Sequence, residues 1–177
     1  LMDDMIDLEV EQIDAILRKI SADPEDITTK AIEIDLWTKI KDQALRGRRT
    51  GLGITGLGDT LAMLGIQYGS EQSIEETEKI YRWLSTHAYM SSMTLAKERG
   101  AFLVHDPELE IGHPFLERIF DSIDEVMLES TSQSTAYKAR QMNQRWGRRN
   151  IAITTTAPAG SVSVLTQTTS GIEPAFM

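Results

Sequence analysis

Four glycines fall within eight positions of the segment TGLGITGLGD, residues 50–59, at 51, 53, 56 and 58. That density rules out a stable helix over 51–55, since each interior glycine costs about 1 kcal/mol relative to alanine. A short buried strand is the conformation this apolar piece can hold. The spacing Gly51-x-Gly53-x-x-Gly56 is also that of a dinucleotide-binding loop, which needs a buried strand leading in, a helix leading out and an acid about 20 residues on. Here the lead-in is RGRR, without an apolar residue, and the first two glycines lie inside the only candidate strand. Glu71 stands at the right distance but in a polar loop. The glycines are therefore read as places where backbones pack closely. Nicotinamide or flavin binding through Gly51, Gly53 and Gly56 is the alternative.

On either side the pattern is mostly helical. Met2, Met5, Ile6, Leu8, Ile13, Ile16, Leu17 and Ile20 recur at helical spacing, and Ile32, Leu36, Trp37, Ile40 and Leu45 resume it after the Pro24 turn. Residues 1–47 read as a helical hairpin with Gly47 as its C-terminal stop. A short helix follows Gly58 and Asp59 and closes at Gly65. Ser73-Ile74-Glu75-Glu76 fits a capping box opening a helix to Arg99. Pro114 suits the first turn of a helix carrying Phe115, Leu116, Ile119, Phe120, Ile123 and Val126, and a last helix is expected over 134–146, ending at Gly147. Strands are expected at 51–55, 101–104 and 150–158. Helices interleaved with about three well-separated strands make the chain α/β and predominantly helical.

Composition narrows the function. A net charge of −9 argues against non-specific nucleic-acid binding. No apolar run reaches the ~20 residues that span a bilayer, and the acidic start LMDDMIDLEVEQ is unlike a signal peptide, so a cytoplasmic protein is expected. The absence of cysteine excludes disulfides, thiolate metal sites and thiol nucleophiles. A helical pattern already running at Leu1, and an end at SGIEPAFM without a polar tail, lead us to expect a fragment of a longer protein. His87, His105 and His113 lack metal-ligand spacing, and His105 and His113, flanking a proline turn, are expected in solvent. Lys138, Arg140, Arg145, Arg148 and Arg149 form the one basic cluster, read as a solvated helix end or a positive rim to a nucleotide pocket. Tyr81, Trp83 and Tyr89 are read as core or interface residues.

The stretch that points to chemistry is TTTAPAGSVSVLTQTTSGIEP, residues 154–174. A β-branched strand runs through Ala157-Pro158 into a small Gly/Ser segment that can start a helix. Free backbone amides and hydroxyls there can grip an anion; a plain strand-turn-helix with serine caps is the ligand-free reading.

RRTGLGITGLGDTLAMLGI (48–66) and GRRNIAITTTAPAGSVSVLTQTTSGIEP (147–174) together resemble the catalytic chain of ribonucleotide reductase. The lead-in LMDDMIDLE…IKDQALRGRRTGLG is most similar to the adenosylcobalamin-dependent (class II) members. The resemblance implies a ten-stranded α/β barrel of two five-stranded halves, with residues 48–177 part of the second half. It places the substrate-phosphate cradle on Ala159, Gly160, Ser161, Val162 and Ser163. Many members have threonine where this chain has Ala159, which removes one hydroxyl donor and keeps the backbone amide. Ser170, Gly171 and Glu173-Pro174 match a downstream signature and are read as architectural.

The resemblance further implies that the whole enzyme converts ribonucleoside di- or triphosphates to deoxyribonucleotides by cysteine-radical chemistry started by adenosylcobalamin. It implies a nucleotide effector and a thiol reductant, and allows a homodimer. The radical cysteine's Asn-x-Cys-x-Glu motif would lie before Leu1 and its reducing cysteines outside this stretch, so no catalytic residue and no metal ligand is assigned here and the fragment alone should be inactive. The rival expectations are a metal-radical (class I) reductase, a dinucleotide-dependent oxidoreductase and a non-catalytic helical interaction module.

Overall fold

A computed structural model describes residues 1–126 and 135–174. Eight helices are found among them: α1 (Met2–Ala22), α2 (Ile27–Gly47), α3 (Leu57–Met63), α4 (Glu71–Arg99), α5 (Pro107–Glu110), α6 (Pro114–Val126), α7 (Thr135–Trp146) and α8 (Gly160–Thr166). The helix expected over 134–146 is present from Thr135; residue 134 lies outside the described residues.

α1 and α2 pack against each other. Only Ile6, Ile13 and Ile20 of the expected α1 apolar set are buried, a seven-residue repeat, while Met5 and Leu8 face outward. A repeat that strict makes a narrow seam rather than a broad buried face. Asp26 caps α2 by accepting from the amides of Thr28 and Thr29.

The main core lies where α4, α6 and α7 meet. Tyr89 and Met93 of α4 pack with Leu116, Ile119, Phe120 and Ile123 of α6, Ala136 and Ala139 of α7, and Ile153. The alanines on α7 leave room for Phe120 and Ile123, and Ile153 carries the 150–155 segment onto this cluster. A smaller core of Leu57, Leu61 and Ile66 sits under α3.

The three expected strands are corrected to a single parallel bridge, Leu52↔Thr154, and no strand is present among the described residues. Segments 50–54 and 150–155 do run together, but neither meets a further strand among the described residues, so no ladder extends. Residues 101–104 form a turn whose Phe102 amide donates to Arg148 O at 3.1 Å.

Two helix boundaries also differ. Arg48, not the expected Gly47, takes the left-handed cap position, with φ 44°. Gly47 is the last helical residue, and a Cβ there would press on Ile151 Cγ2 at 3.1 Å. The start of α4 lies one turn before the expected capping box: Ser70 is the cap and accepts from the Ser73 amide at 3.2 Å. Ser73 is buried, and Glu76 pairs with Lys79 at 2.6 Å.

Candidate functional site

The two segments singled out from the sequence fold against each other. Leu52 donates its amide to Ile153 O at 2.8 Å and accepts from the Thr155 amide at 2.9 Å, while the Thr50 amide donates to Ala152 O at 2.9 Å. This register is why glycine is needed. A Cβ on Gly51 would lie 2.9 Å from Thr155 Cγ2, and one on Gly53 would lie 2.7 Å from Thr155 O. Close backbone approach, rather than a nucleotide, accounts for both positions.

Beyond Pro158 the chain turns into α8. Ala159 sits at the cap with its carbonyl accepting from the Ser163 amide at 2.8 Å, and the Gly160 amide is spent on Pro158 O at 2.7 Å. The amides of Ser161 and Val162 make no hydrogen bond among the described residues, and neither does the exposed Ser161 hydroxyl. Ser163 is placed differently: it is buried, with its hydroxyl donating to Gly160 O at 2.7 Å. A Cβ on Gly160 would meet nothing within 4 Å, so the turn's outer side is open. Ala159, Gly160, Ser161 and Val162 thus form an open turn at the surface, and Ser163 braces it from behind.

The far end of α8 is held by the same glycine segment. Gln167 takes a left-handed conformation, φ 56°, and the Thr168 amide closes on Ser163 O at 3.0 Å. Thr169 is then gripped by Gly56, whose amide donates to its carbonyl at 2.9 Å, and by Asp59, whose Oδ2 accepts its amide at 2.7 Å. A Cβ on Gly58 would strike Glu173 O at 2.9 Å, and one on Gly171 would strike Ala157 O at 2.8 Å. Ser170, Gly171 and Glu173 form the floor of this turn, with Ser170 Oγ 3.5 Å from Glu173 Oε2.

Within the basic cluster Arg145 is the exposed last-turn cation of a solvated helix end, while Arg140, Arg148 and Arg149 are committed to acids. Arg148 is buried, and its Nε and Nη2 grasp Glu110 while Nη1 donates to the carbonyls of Asn150 and Ile151. Burial pushes the Glu110 carboxyl up, but hydrogen bonds from Arg148 and Asn143 and the charges of Arg148 and His105 together hold it below its ordinary range. Arg149 reaches Asp3 at 3.1 Å, and Arg140 bridges Glu117 and Asp121. His105, expected in solvent, is instead packed under Gly147 with Nε2 3.3 Å from Glu110 Oε2, whereas His113 is exposed. Asp3, Asp4 and Asp7 lie close together, but their carboxylates are committed to Arg48, Arg99 and Arg149. Tyr89 is buried, and Trp83 is exposed and stacked on His87 at 4.1 Å.

Sequence reasoning singled out the turn at 159–163 but missed what fixes it, namely Thr155, Asp59 and Thr169. An acid at the start of a short helix and threonines in a loop carry no distinctive local signal; only their meeting across 110 residues does.

Two extended segments, joined by one bridge and packed through glycine, lead through a turn with two unpaired amides into α8. Residues 26–177 match the family described as "Ribonucleotide reductase, barrel domain", and the chain belongs to that family. It is 29% identical over 140 residues to a vitamin B12-dependent ribonucleoside-diphosphate reductase of Mycobacterium tuberculosis (strain CDC 1551 / Oshkosh), covering 79% of this chain and 16% of that protein. It is 30% identical over 146 residues to a ribonucleoside-diphosphate reductase subunit alpha of Helicobacter pylori (strain ATCC 700392 / 26695), covering 78% of this chain and 18% of that protein. A vitamin B12-dependent ribonucleoside-diphosphate reductase of Thermoplasma acidophilum is 27% identical over 138 residues, covering 78% and 14%. The chain therefore spans about one sixth of the length of the relatives it matches. No helix among the described residues is long and apolar enough to cross a membrane.

Proposed function

We propose that this chain is the substrate-phosphate-holding part of a ribonucleotide reductase barrel, in an enzyme that converts ribonucleoside diphosphates to deoxyribonucleotides. The observation that carries the reading is the pair of unpaired amides on Ser161 and Val162, beside the free Ser161 hydroxyl, at an open turn bracketed by the glycine segment. Amides fixed in that way donate to phosphate oxygens without reorganising, and holding the diphosphate aims the ribose at the reacting group. The Ser163 hydroxyl keeps the Gly160 carbonyl turned away from the incoming anion. In this proposal residues 1–47 are a lead-in and 48–177 belong to the second half of the barrel. With no cysteine, this part binds and orients and does no radical chemistry.

The relatives named as vitamin B12-dependent favour adenosylcobalamin as the radical initiator of the whole enzyme. No residue among those described is assigned to hold it. His87 Nδ1 is engaged with the Trp83 carbonyl at 2.8 Å, His105 is buried beside Glu110, and His113 Nδ1 accepts the Phe115 amide. The relatives named subunit alpha favour a metal-radical enzyme instead. Ribonucleotide reduction by the full-length enzyme that depends on added adenosylcobalamin selects the first; dependence on a separate radical-generating subunit selects the second.

The cradle is tested by Ser161→Ala with Ser163→Ala in the full-length enzyme. The expected result is a raised KM, or a lowered kcat/KM, for the ribonucleoside diphosphate. Unchanged kinetics in the double variant overturn it.

A further inference from the structure

The cradle is held from both ends by one segment, and its second attachment has a chemical character that packing alone does not explain. Asp59 Oδ2 accepts the Thr169 amide at 2.7 Å, and the Asp59 amide faces Thr169 Oγ1 at 3.4 Å. Gly56 adds a third link, its amide donating to the Thr169 carbonyl at 2.9 Å. Thr169 follows Thr168, whose amide closes the last turn of α8 on Ser163 O, and Ser163 in turn braces Gly160. A path of three hydrogen bonds joined by the chain through Thr168–Thr169 and Ser163 thus runs from the Asp59 carboxylate to the Gly160 carbonyl. Further along the same loop, Tyr68 Oη donates to Ile172 O at 2.8 Å.

We infer that Asp59 is a positioning residue for substrate diphosphate, its carboxylate setting where α8 stands and hence where the Ser161 and Val162 amides point. The inference rests on the reading of 159–163 as the phosphate cradle. A carboxylate is suited to the task because an ionised acceptor makes a shorter and stronger bond to an amide than a neutral one does. It can therefore hold a loop that α8, with only seven residues, cannot stabilise by its own length.

The test uses the full-length enzyme, with cytidine diphosphate as substrate and inorganic pyrophosphate as competing probe. In the parent enzyme pyrophosphate competes with substrate; if it does not, the cradle reading itself fails. Given competition, Asp59→Ala raises both KM and the pyrophosphate inhibition constant by about tenfold, with kcat changed by less than about twofold. Asp59→Asn, which keeps an acceptor oxygen, recovers most of that loss. Tyr68→Phe removes one exposed hydroxyl, poses little threat to folding, and shifts the inhibition constant the same way by about twofold to threefold. Competition that persists in the parent while Asp59→Ala and Tyr68→Phe leave the inhibition constant unchanged overturns the inference. So does a fall in kcat alone. Should Asp59→Ala not fold, the Tyr68→Phe and Asp59→Asn values decide: the inference stands on a shift in the first with near-parent values in the second, and falls on the reverse.

Discussion

Asp3 and Arg48 form a buried ion pair, Oδ1 to Nε at 2.7 Å, with both side chains at least 95% shielded from solvent. Arg48 Nη2 also donates to the Asp3 carbonyl at 2.9 Å, and its Nη1 reaches Asp7 at 2.8 Å. Arg149 and the Asn150 amide group converge on the same carboxylate. The first turn of α1, the end of α2 and the start of segment 149–155 are thereby tied at one point. The tie offsets the unfavourable left-handed backbone at Arg48, which costs a non-glycine residue roughly 1–2 kcal/mol.

Replacing Asp3 by Ala leaves three arginines, Arg48, Arg99 and Arg149, without their shared counter-charge, the first of them buried. Removing one member of a buried pair costs about 3–5 kcal/mol, and urea unfolding of the full-length protein is expected to show a loss of that size. A change below about 0.5 kcal/mol, the usual surface range, would mean the network is not formed.

Acid should act through the same groups. Burial raises the Asp3 carboxyl, but the hydrogen bonds and charges of Arg48 and Arg149 together hold it below its ordinary 3.8; Glu110 is likewise held below 4.5 against burial by Arg148, His105 and Asn143 together. A carboxyl depressed on folding stabilises fully above its unfolded value and loses that contribution as pH falls through the folded one. Stability owed to these two acids is therefore constant above about pH 5 and declines progressively below about pH 4. Urea midpoints taken through that range should fall towards acid, and less steeply in Asp3→Asn. Equal slopes in the two proteins would contradict the assignment for Asp3.

Most of the helices were legible because a 3.6-residue apolar period and its punctuation are local: Pro114 opens α6, Gly100 ends α4 and Gly147 ends α7, each as the sequence indicates. The strands were legible only as places where β-branched residues and glycines collect. Whether they extend into a sheet depends on partners hundreds of ångströms of contour away, and the described residues supply one bridge. The start of α4 was misplaced because Ser73-x-x-Glu76 matches a capping box in sequence, while the cap actually used, Ser70, has no acid at its third helical position. The fate of Arg148 and His105 was illegible for a similar reason. Their partner Glu110 lies on a four-residue helix with no pattern to mark it.

The glycine segment makes a prediction that separates packing from nucleotide binding. Gly53→Ala places a methyl 2.7 Å from Thr155 O, against backbone that cannot yield cheaply; an overpacked site of this kind costs about 1–3 kcal/mol. Gly160→Ala meets nothing within 4 Å and should change stability by less than about 0.5 kcal/mol. Paired thermal melts of the two variants test the contrast. A dinucleotide loop predicts instead that Gly53→Val abolishes NAD(H) binding.

Ser161 and Ser163, both placed in the proposed cradle, should fail differently when truncated. The Ser161 hydroxyl is exposed and has no partner among the described residues, so Ser161→Ala removes a donor to substrate and nothing from the fold. Its melting temperature should match the parent while KM for the ribonucleoside diphosphate rises by about threefold to tenfold. Ser163→Ala removes a buried hydroxyl that donates to Gly160 O at 2.7 Å, so stability should drop by about 1 kcal/mol. Its effect on KM then arises because the Gly160 carbonyl is released to swing towards the anion. The two routes are distinguished by lowering temperature. Stiffening the turn should recover KM in Ser163→Ala and leave Ser161→Ala impaired, whereas equal recovery in both would place the Ser161 hydroxyl away from the phosphate.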